Sequence, residues 1–359
     1  MKVLQVITRS ELGGSQAVVA DLSVGLAKLG AEVMVASGPE GAGSAWDQLP
    51  DMIQRTEIST LVREVRPAQD VRAVLELGRL YRSWRPDIVN LHTSKAAAIG
   101  RLARGVKRRR IVYTMHGFGQ LQIANAKLLR VDRALRSRCG AIVAVSAADQ
   151  AAMASLGYRT TLIRNGCPDM QLPSPIDARA GMLLERARSF GLPMFLMAAR
   201  EAPPKRVDLA REVAGRVADR AVILWAGGDR RDGDPPNFVS LGFTNVRPLL
   251  TRVDGFMLLS DHEGLPMSLL EAFSAGLPVV TSDIAGCLEA LGLHQAGLGD
   301  VGIAVQNEPG VVAKAVATLA ADDRLRHRMG LAGRRRWQST FSQAKMADNY
   351  AALYRELMA

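Results

Sequence analysis

Cysteine is scarce: the 359 residues hold three, Cys139, Cys167 and Cys287, far apart and without metal-ligand spacing. Neither a disulfide scaffold nor a zinc site is expected, and a reducing compartment fits. Long apolar runs are missing too; no stretch of 18 apolar residues occurs, which argues against a transmembrane helix. The opening Met1-Lys2-Val3-Leu4-Gln5-Val6-Ile7 alternates and soon reaches Glu11, unlike a signal peptide, so a cytoplasmic protein is expected. Aromatics are few, at 5%, but 48% hydrophobic and 23% charged residues match soluble globular chains and exclude disordered or collagen-like ones. Acidic residues are in short supply: 35 Asp and Glu face 46 Lys and Arg, a net charge of +11. The shortfall is local, because residues 101–138 carry eleven cations (Arg101, Arg104, Lys107, Arg108, Arg109, Arg110, Lys127, Arg130, Arg133, Arg136 and Arg138) against Asp132 alone.

What is present is a regular alternation of strand-like and helix-like segments, the pattern of parallel sheets covered by helices. Strands are predicted at 3–8, 32–36, 88–92, 111–115, 141–145 and 161–164, with an amphipathic helix over 15–29 ending at Gly30. The segment from Asn165 to Pro175, with a glycine and three prolines at Pro168, Pro173 and Pro175, breaks the pattern and reads as a linker. A second series follows at 194–198, 221–225, 256–260 and 278–281. At about 100 to 200 residues per domain, the economical reading is two doubly wound α/β domains with a cleft between them.

Two stretches carry chemistry. The loop Glu11-Leu12-Gly13-Gly14-Ser15 joins the first strand to the first helix, where adjacent glycines admit a ligand to the backbone and the helix N-terminus offers free N–H groups to an anion. A phosphate site and a plain tight turn with Ser15 as N-cap both explain it. The G-x-G-x-x-G spacing is absent and Ala36-Ser37-Gly38 offers no acid to a ribose, which counts against a dinucleotide-dependent oxidoreductase. The stronger stretch runs from Ser260 through Glu263-Gly264-Leu265-Pro266-Met267-Ser268-Leu269-Leu270-Glu271-Ala272 to Gly276. Here a strand end leads through a turn into a helix, with Pro266 placed at the first helical position and Gly276 at the end. Glu263 and Glu271, eight residues apart, suit gripping two sugars of one ligand while the helix N-terminus takes phosphates between them.

That glutamate block, with Ala275-Gly276-Leu277-Pro278-Val279-Val280 after it, resembles the donor-binding signature of retaining glycosyltransferases of family GT4, which have the GT-B fold. Agreement in order and spacing extends to Gly13-Gly14, Ser94-Lys95-Ala96 through Gly100-Arg101-Leu102, Thr114-Met115-His116-Gly117-Phe118, Val145-Ser146, Asn165-Gly166, Arg200 with Lys205, Phe341-Ser342 and Tyr354. The resemblance implies an acceptor-binding Rossmann-like domain over 1–172, to which a C-terminal helix over 342–359 returns, and a donor-binding one over 173–341. It implies that Arg200 and Lys205 bind the donor diphosphate, paired cations matching that charge. Glu271 would hold the nucleotide ribose and Glu263 the transferred sugar. Gly13, Gly14, His116 and the backbone of Gly264, Leu265, Pro266, Met267 and Ser268 would complete the pocket. His116, Arg200, Lys205 and Glu263 form the implied catalytic set; apart from the resemblance, Arg200 and Lys205 read as a surface pair before a helix and His116 as a structural strand-end histidine. The implied mechanism is front-face departure of the diphosphate, with no protein base and no obligatory metal or other cofactor. The sequences it most resembles build bacterial cell-surface polysaccharides, commonly from UDP-sugars, onto glycan or lipid-linked acceptors. This chain departs from the pattern at Ala199 and Arg206, where glycine is usual, and between Asp229 and Leu241, where a helix that helps frame the nucleobase is usual.

From Leu121 the apolar residues recur as Leu121, Ala124, Leu128, Val131, Leu135 and Cys139, one stripe of a helix whose remaining faces are basic. A solvated helix face and peripheral attachment of residues 101–138 to an anionic membrane both fit. Two rival functions are weaker. A nucleotide-sugar epimerase needs an acid/base pair that is not evident, and a nucleic-acid or other polyanion binder needs aromatics interleaved with the basic segment.

Overall fold

A computed structural model describes residues 1–41, 43–47, 49–118, 126–172 and 174–359. The chain divides into two compact units, Met1–Gly166 with Gln343–Ala359, and Cys167–Ser342. The division therefore falls at Gly166, near the start of the segment where the sequence breaks its pattern.

The first unit is built on β1 (Lys2–Ile7), β2 (Glu32–Ser37), β3 (Gln54–Glu57), β4 (Ile88–Leu91), β5 (Ile111–Met115), β6 (Ala141–Ala144) and β7 (Thr161–Leu162). They form one parallel sheet in the order β3-β2-β1-β4-β5-β6-β7, reversing direction of growth at β1. The second unit has β8 (Met194–Ala198), β9 (Val222–Ala226), β10 (Phe238–Gly242), β11 (Gly255–Leu258), β12 (Val279–Ser282), β13 (Gly297–Leu298) and β14 (Gly302–Val305) in the order β10-β9-β8-β11-β12-β14-β13. Only β13 runs antiparallel. Each sheet has a doubly wound α/β topology, whose ligand sites lie beyond the carboxyl ends of the strands.

The expected strands are present, and four more join them. β3 reads Gln-Arg-Thr-Glu and carries no apolar run because it is a largely exposed edge. β13 has only two residues, whereas β10 and β14 are as long as strands that were expected. Between β9 and β10 the chain runs through 227–237 without a helix. Two polar side chains hold this stretch instead. Asp234 accepts from Arg211 Nε at 2.7 Å and from the Arg231 amide at 2.8 Å, and Asn237 Nδ2 donates to the carbonyls of Ala214 and Ala221 at 2.8 and 2.9 Å.

The last helix, Gln343–Met358, belongs to the first unit. Gln343 Nε2 donates to the Asp21 carbonyl at 2.9 Å, and Ala347 lies where a side chain on Gly25 would have to go. Deeper in, Asn90 on β4 donates through Nδ2 to the Tyr354 hydroxyl at 2.9 Å, and through Oδ1 accepts from Thr114 Oγ1 on β5 at 2.9 Å. Thr114 also shares a 3.1 Å hydrogen bond with Tyr350. These hydroxyls are fully buried, so each needs its partner.

The basic helix, described from Ala126 to Leu135, corrects the expected stripe. Leu121 and Ala124, and the side chain of Leu128, lie outside what is described. Val131 is 49% exposed, and the inward positions are Leu129, Asp132, Leu135 and Cys139. The pattern misleads because the helix is seated by a charge. Buried Asp132 pairs with Arg101, itself buried, and accepts from the Tyr158 hydroxyl at 2.7 Å, while the Arg101 guanidinium lies 5.0 Å over the Tyr113 ring. Arg101 is thereby withdrawn from any membrane surface, whereas Arg104, Lys107, Arg108, Arg109, Arg130, Arg133 and Arg136 are exposed. Breaking a buried pair costs about 3–5 kcal/mol because it strands a charge. Asp132→Ala is expected to lower the urea-unfolding free energy by about that amount; a loss below about 1 kcal/mol would show that the pair is not what seats the helix.

Candidate functional site

In the second unit the site residues sit on two loops at the carboxyl ends of adjacent strands. After β8 the chain enters the 199–206 loop, which carries Arg200 and Lys205. After β11 it enters 259–266, which carries Glu263, and then the helix Met267–Ala275. Backbone hydrogen bonds stitch the loops together: the Arg206 amide donates to the Leu259 carbonyl at 3.0 Å and the Asp261 amide to the Pro204 carbonyl at 2.9 Å. Ser260 Oγ adds a bond to Pro204 O at 3.1 Å. Lys205 is therefore held against the glutamate loop, and its ammonium forms an ion pair with Glu263 Oε1.

The helix behind the loop starts one residue later than expected, with Pro266 as its N-cap rather than its first residue. No side chain caps it, so its first amides are free of side-chain acceptors, and Gly276 closes the other end with a φ of 81°. Glu271, only 6% exposed, faces Arg247, whose Nε and Nη2 both reach Glu271 Oε1 at 3.0 Å. The loop's course also depends on Gly286, on the next helix: a Cβ there would lie 1.9 Å from the Gly264 carbonyl oxygen and 2.6 Å from that of Glu263.

Two departures from the family pattern are accommodated. Arg206 is drawn away by Asp208 and Asp261, to which its Nε and Nη1 donate at 3.1 and 3.2 Å. At Ala199 the close backbone approach is made by its neighbour across the sheet, Gly227. A Cβ on Gly227, at φ 143°, would fall 2.0 Å from the Ala199 carbonyl oxygen.

Gly13, Gly14 and His116 belong to the first unit. Gly13 is the N-cap of the helix Gly14–Lys28 and provides no side-chain cap. Ser15, weighed as the cap, lies inside the helix and donates to Gln16 Oε1 at 3.0 Å. His116, just past β5, stacks on His92, just past β4, with ring centroids 5.3 Å apart. His92 bonds to His116 Nε2 through Nδ1 at 3.0 Å and to Gln5 Oε1 through Nε2 at 2.6 Å. Burial pushes the pKa of His116 down to about 4 and that of His92 well below its ordinary value, aided by its neighbour, so both rings are neutral near pH 7. Among the described residues, no group of three His, Cys, Asp or Glu could hold a metal ion.

Sequence reading missed Arg247, Gly286, Gln5 and His92. His92 had the same signal as His116, a histidine closing a predicted strand. Arg247 and Gly286 had none, since what matters about each is what it meets across the fold.

Residues 12–169 match the protein family described as Glycosyltransferase Family 4, and residues 193–322 match that described as Glycosyl transferases group 1. An Escherichia coli UDP-Gal:alpha-D-GlcNAc-diphosphoundecaprenol alpha-1,3-galactosyltransferase is 26% identical over 68% of this chain and 70% of its own. The Escherichia coli O-antigen biosynthesis glycosyltransferase WbnH is 25% identical over 80% and 82%. Among solved structures, Anabaena HepE in complex with UDP-glucose superposes with a TM-score of 0.80, at 19% identity, over 99% of this chain and 100% of that one, which shows a shared GT-B fold.

The histidine pair has a consequence for stability. Both pKa values lie below the 6.5 of an unfolded histidine, so below pH 6.5 the unfolded chain takes up protons that the folded one refuses. Their contribution is complete above pH 6.5 and is lost as pH falls toward 4. Urea midpoints measured at pH 7 and pH 5 should therefore drop less for the double variant His92→Gln, His116→Gln than for the native chain; equal drops would contradict the assignment.

Proposed function

This chain belongs to the family 4 glycosyltransferases, enzymes that move a sugar from an activated donor, and from that premise we propose that it transfers the sugar of a UDP-sugar, with retained configuration, to a lipid-linked or glycan acceptor in building bacterial surface polysaccharide. The observation that carries this reading is the joined pair of loops on the second unit. They bring cations and a carboxylate together at strand ends beside an uncapped helix N-terminus, a setting that suits a diphosphate and the hydroxyls next to it. The names of the relatives support the UDP donor and the undecaprenyl diphosphate acceptor.

In this reading Arg200, Lys205 and the amides from Gly264 to Ser268 hold the diphosphate, Glu271 accepts from the ribose and Glu263 from the transferred sugar. Gly13, Gly14 and His116 are assigned to the sugar phosphate and sugar. Catalysis is electrostatic: the fixed cations and helix amides stabilise charge as it develops on the departing diphosphate, whose phosphate takes the acceptor proton. No step asks for a protein base. No helix among the described residues is long and apolar enough to cross a membrane, so access to a lipid-linked acceptor would come through peripheral attachment by the exposed cations of 104–136.

Labelled sugar should pass from the UDP-sugar into the lipid-extractable acceptor; release or epimerisation without transfer would refute the reading. Arg200→Ala and Lys205→Ala should each lower kcat/KM by about 10 to 150-fold, the worth of a charge-assisted contact, with folding preserved. The Lys205–Glu263 ion pair separates the two glutamates further. Glu263→Gln frees the ammonium for phosphate, so UDP binding should not weaken while transfer falls; Glu271→Ala should weaken UDP itself. Calorimetry with UDP decides, and a similar loss in both variants would refute the division of roles.

Membrane attachment has its own test. Reversing Arg130, Arg133 and Arg136 to Glu turns three attractions of about 1 kcal/mol each into repulsions, so co-sedimentation with anionic vesicles at low salt should be lost. Unchanged sedimentation would make the segment a solvated helix face.

A further inference from the structure

Arg247 lies outside every motif that marks the site, yet it makes the only hydrogen bonds and ion pairs that Glu271 forms through its side chain among the described residues. Its backbone is well fixed. It opens the short helical segment Arg247–Arg252 between β10 and β11, its amide donates to Asn245 Oδ1 at 3.1 Å, and Pro248, Leu249 and Leu250 behind it are buried. From there its guanidinium reaches Glu271 edge-on. Nε and Nη2 both reach the same oxygen, Oε1, at 3.0 Å, and Oε2 has no hydrogen bond among the described residues. Two nitrogens of a rigid planar fork on one oxygen of a buried carboxylate fix its rotation about the terminal bond, which two-fold freedom would otherwise leave open.

We propose that Arg247 is a positioning residue of the donor site, which occupies Glu271 Oε1 so that Oε2 is presented as the single acceptor for a ribose hydroxyl. This rests on the assignment of Glu271 to the ribose. A carboxylate held in this way distinguishes nucleotides by their ribose hydroxyls, because a ligand that lacks them leaves a buried, oriented acceptor unpaired. Arg247 thus acts on specificity for ribonucleotides, while the diphosphate contacts at Arg200 and Lys205 supply affinity that is indifferent to the sugar ring.

The test compares UDP with 2′,3′-dideoxyuridine diphosphate by calorimetry in the full chain. The native protein should prefer UDP by about tenfold or more, the usual cost of losing a hydrogen bond to a charged group. Arg247→Met should bring that ratio close to one through weaker UDP binding, with the dideoxy ligand bound as before. A purely structural role would not change the ratio, since both ligands would weaken together; that result, or an unchanged ratio, overturns the proposal. If Arg247→Met binds neither nucleotide, Arg247→Lys decides: its ammonium is a point charge without the fork, so the ratio should fall below the native one, and a native ratio overturns the proposal. Glu271→Gln separates the two layers of argument. If it leaves the native ratio intact, the ribose assignment itself has failed; if it removes the preference while Arg247→Met keeps it, only the positioning role has.

Discussion

The site depends on main-chain hydrogen bonds between two loops that are distant in sequence. Arg206 N to Leu259 O and Asp261 N to Pro204 O join the end of β8 to the end of β11, strands that are neighbours in the sheet. Once those bonds form, Lys205 and Glu263 project from backbone held together, and only their side-chain freedom remains to be lost in pairing. Side chains that adjust the site then act on a backbone already fixed. Arg206 is pulled aside by two aspartates, and Gly286 lets a neighbouring helix approach the glutamate loop more closely than any side chain would allow.

The same economy governs the interior of the first unit, where polar groups rather than apolar ones specify which elements meet. Asn90, Thr114, Tyr350 and Tyr354 tie two strands to a helix that begins more than two hundred positions after the second of them. Arg101 and Asp132 do likewise for the basic helix. Buried partners of this kind add modest net stability when made and remove much of it when broken, so they favour one arrangement over near alternatives. The neutral histidine pair is another instance. Burial costs its charged forms enough that the rings persist as hydrogen-bonding groups rather than cations.

Chemistry of this type makes few demands on proton transfer and many on preorganised charge. A diphosphate leaving group needs positive potential in place before the bond breaks, and cations already bound by hydrogen bonds to a rigid frame need little reorganisation at that moment. Under the proposed function the ion pair between Lys205 and Glu263 fits that requirement, because a donor phosphate would exchange one partner of the ammonium for another instead of desolvating a free charge.

Much was legible in the chain alone, and for a definite reason. Parallel strands buried on both faces must be apolar runs, helices between them must show a 3.6-residue period, and a loop that binds phosphates and sugars must carry its own glycines, cations and carboxylates. Those constraints act on consecutive residues, so the two α/β units, the loop at 199–206 and the block from Glu263 to Glu271 could be read directly. The edge strand β3, exposed and polar, obeyed no such constraint. Pro266 and Ser15 show the limit of capping rules: one helix begins one residue after Pro266's expected place and the other is capped at Gly13, two residues before Ser15, and neither has a side-chain cap. The stripe through Val131 failed because apolar period assumes that the buried face is apolar, and here a buried aspartate chose the face. Arg247, Gly286 and the division of Glu271 into one occupied oxygen and one open one were decided by tertiary structure alone, since each is defined by an atom from a distant segment that no local pattern encodes.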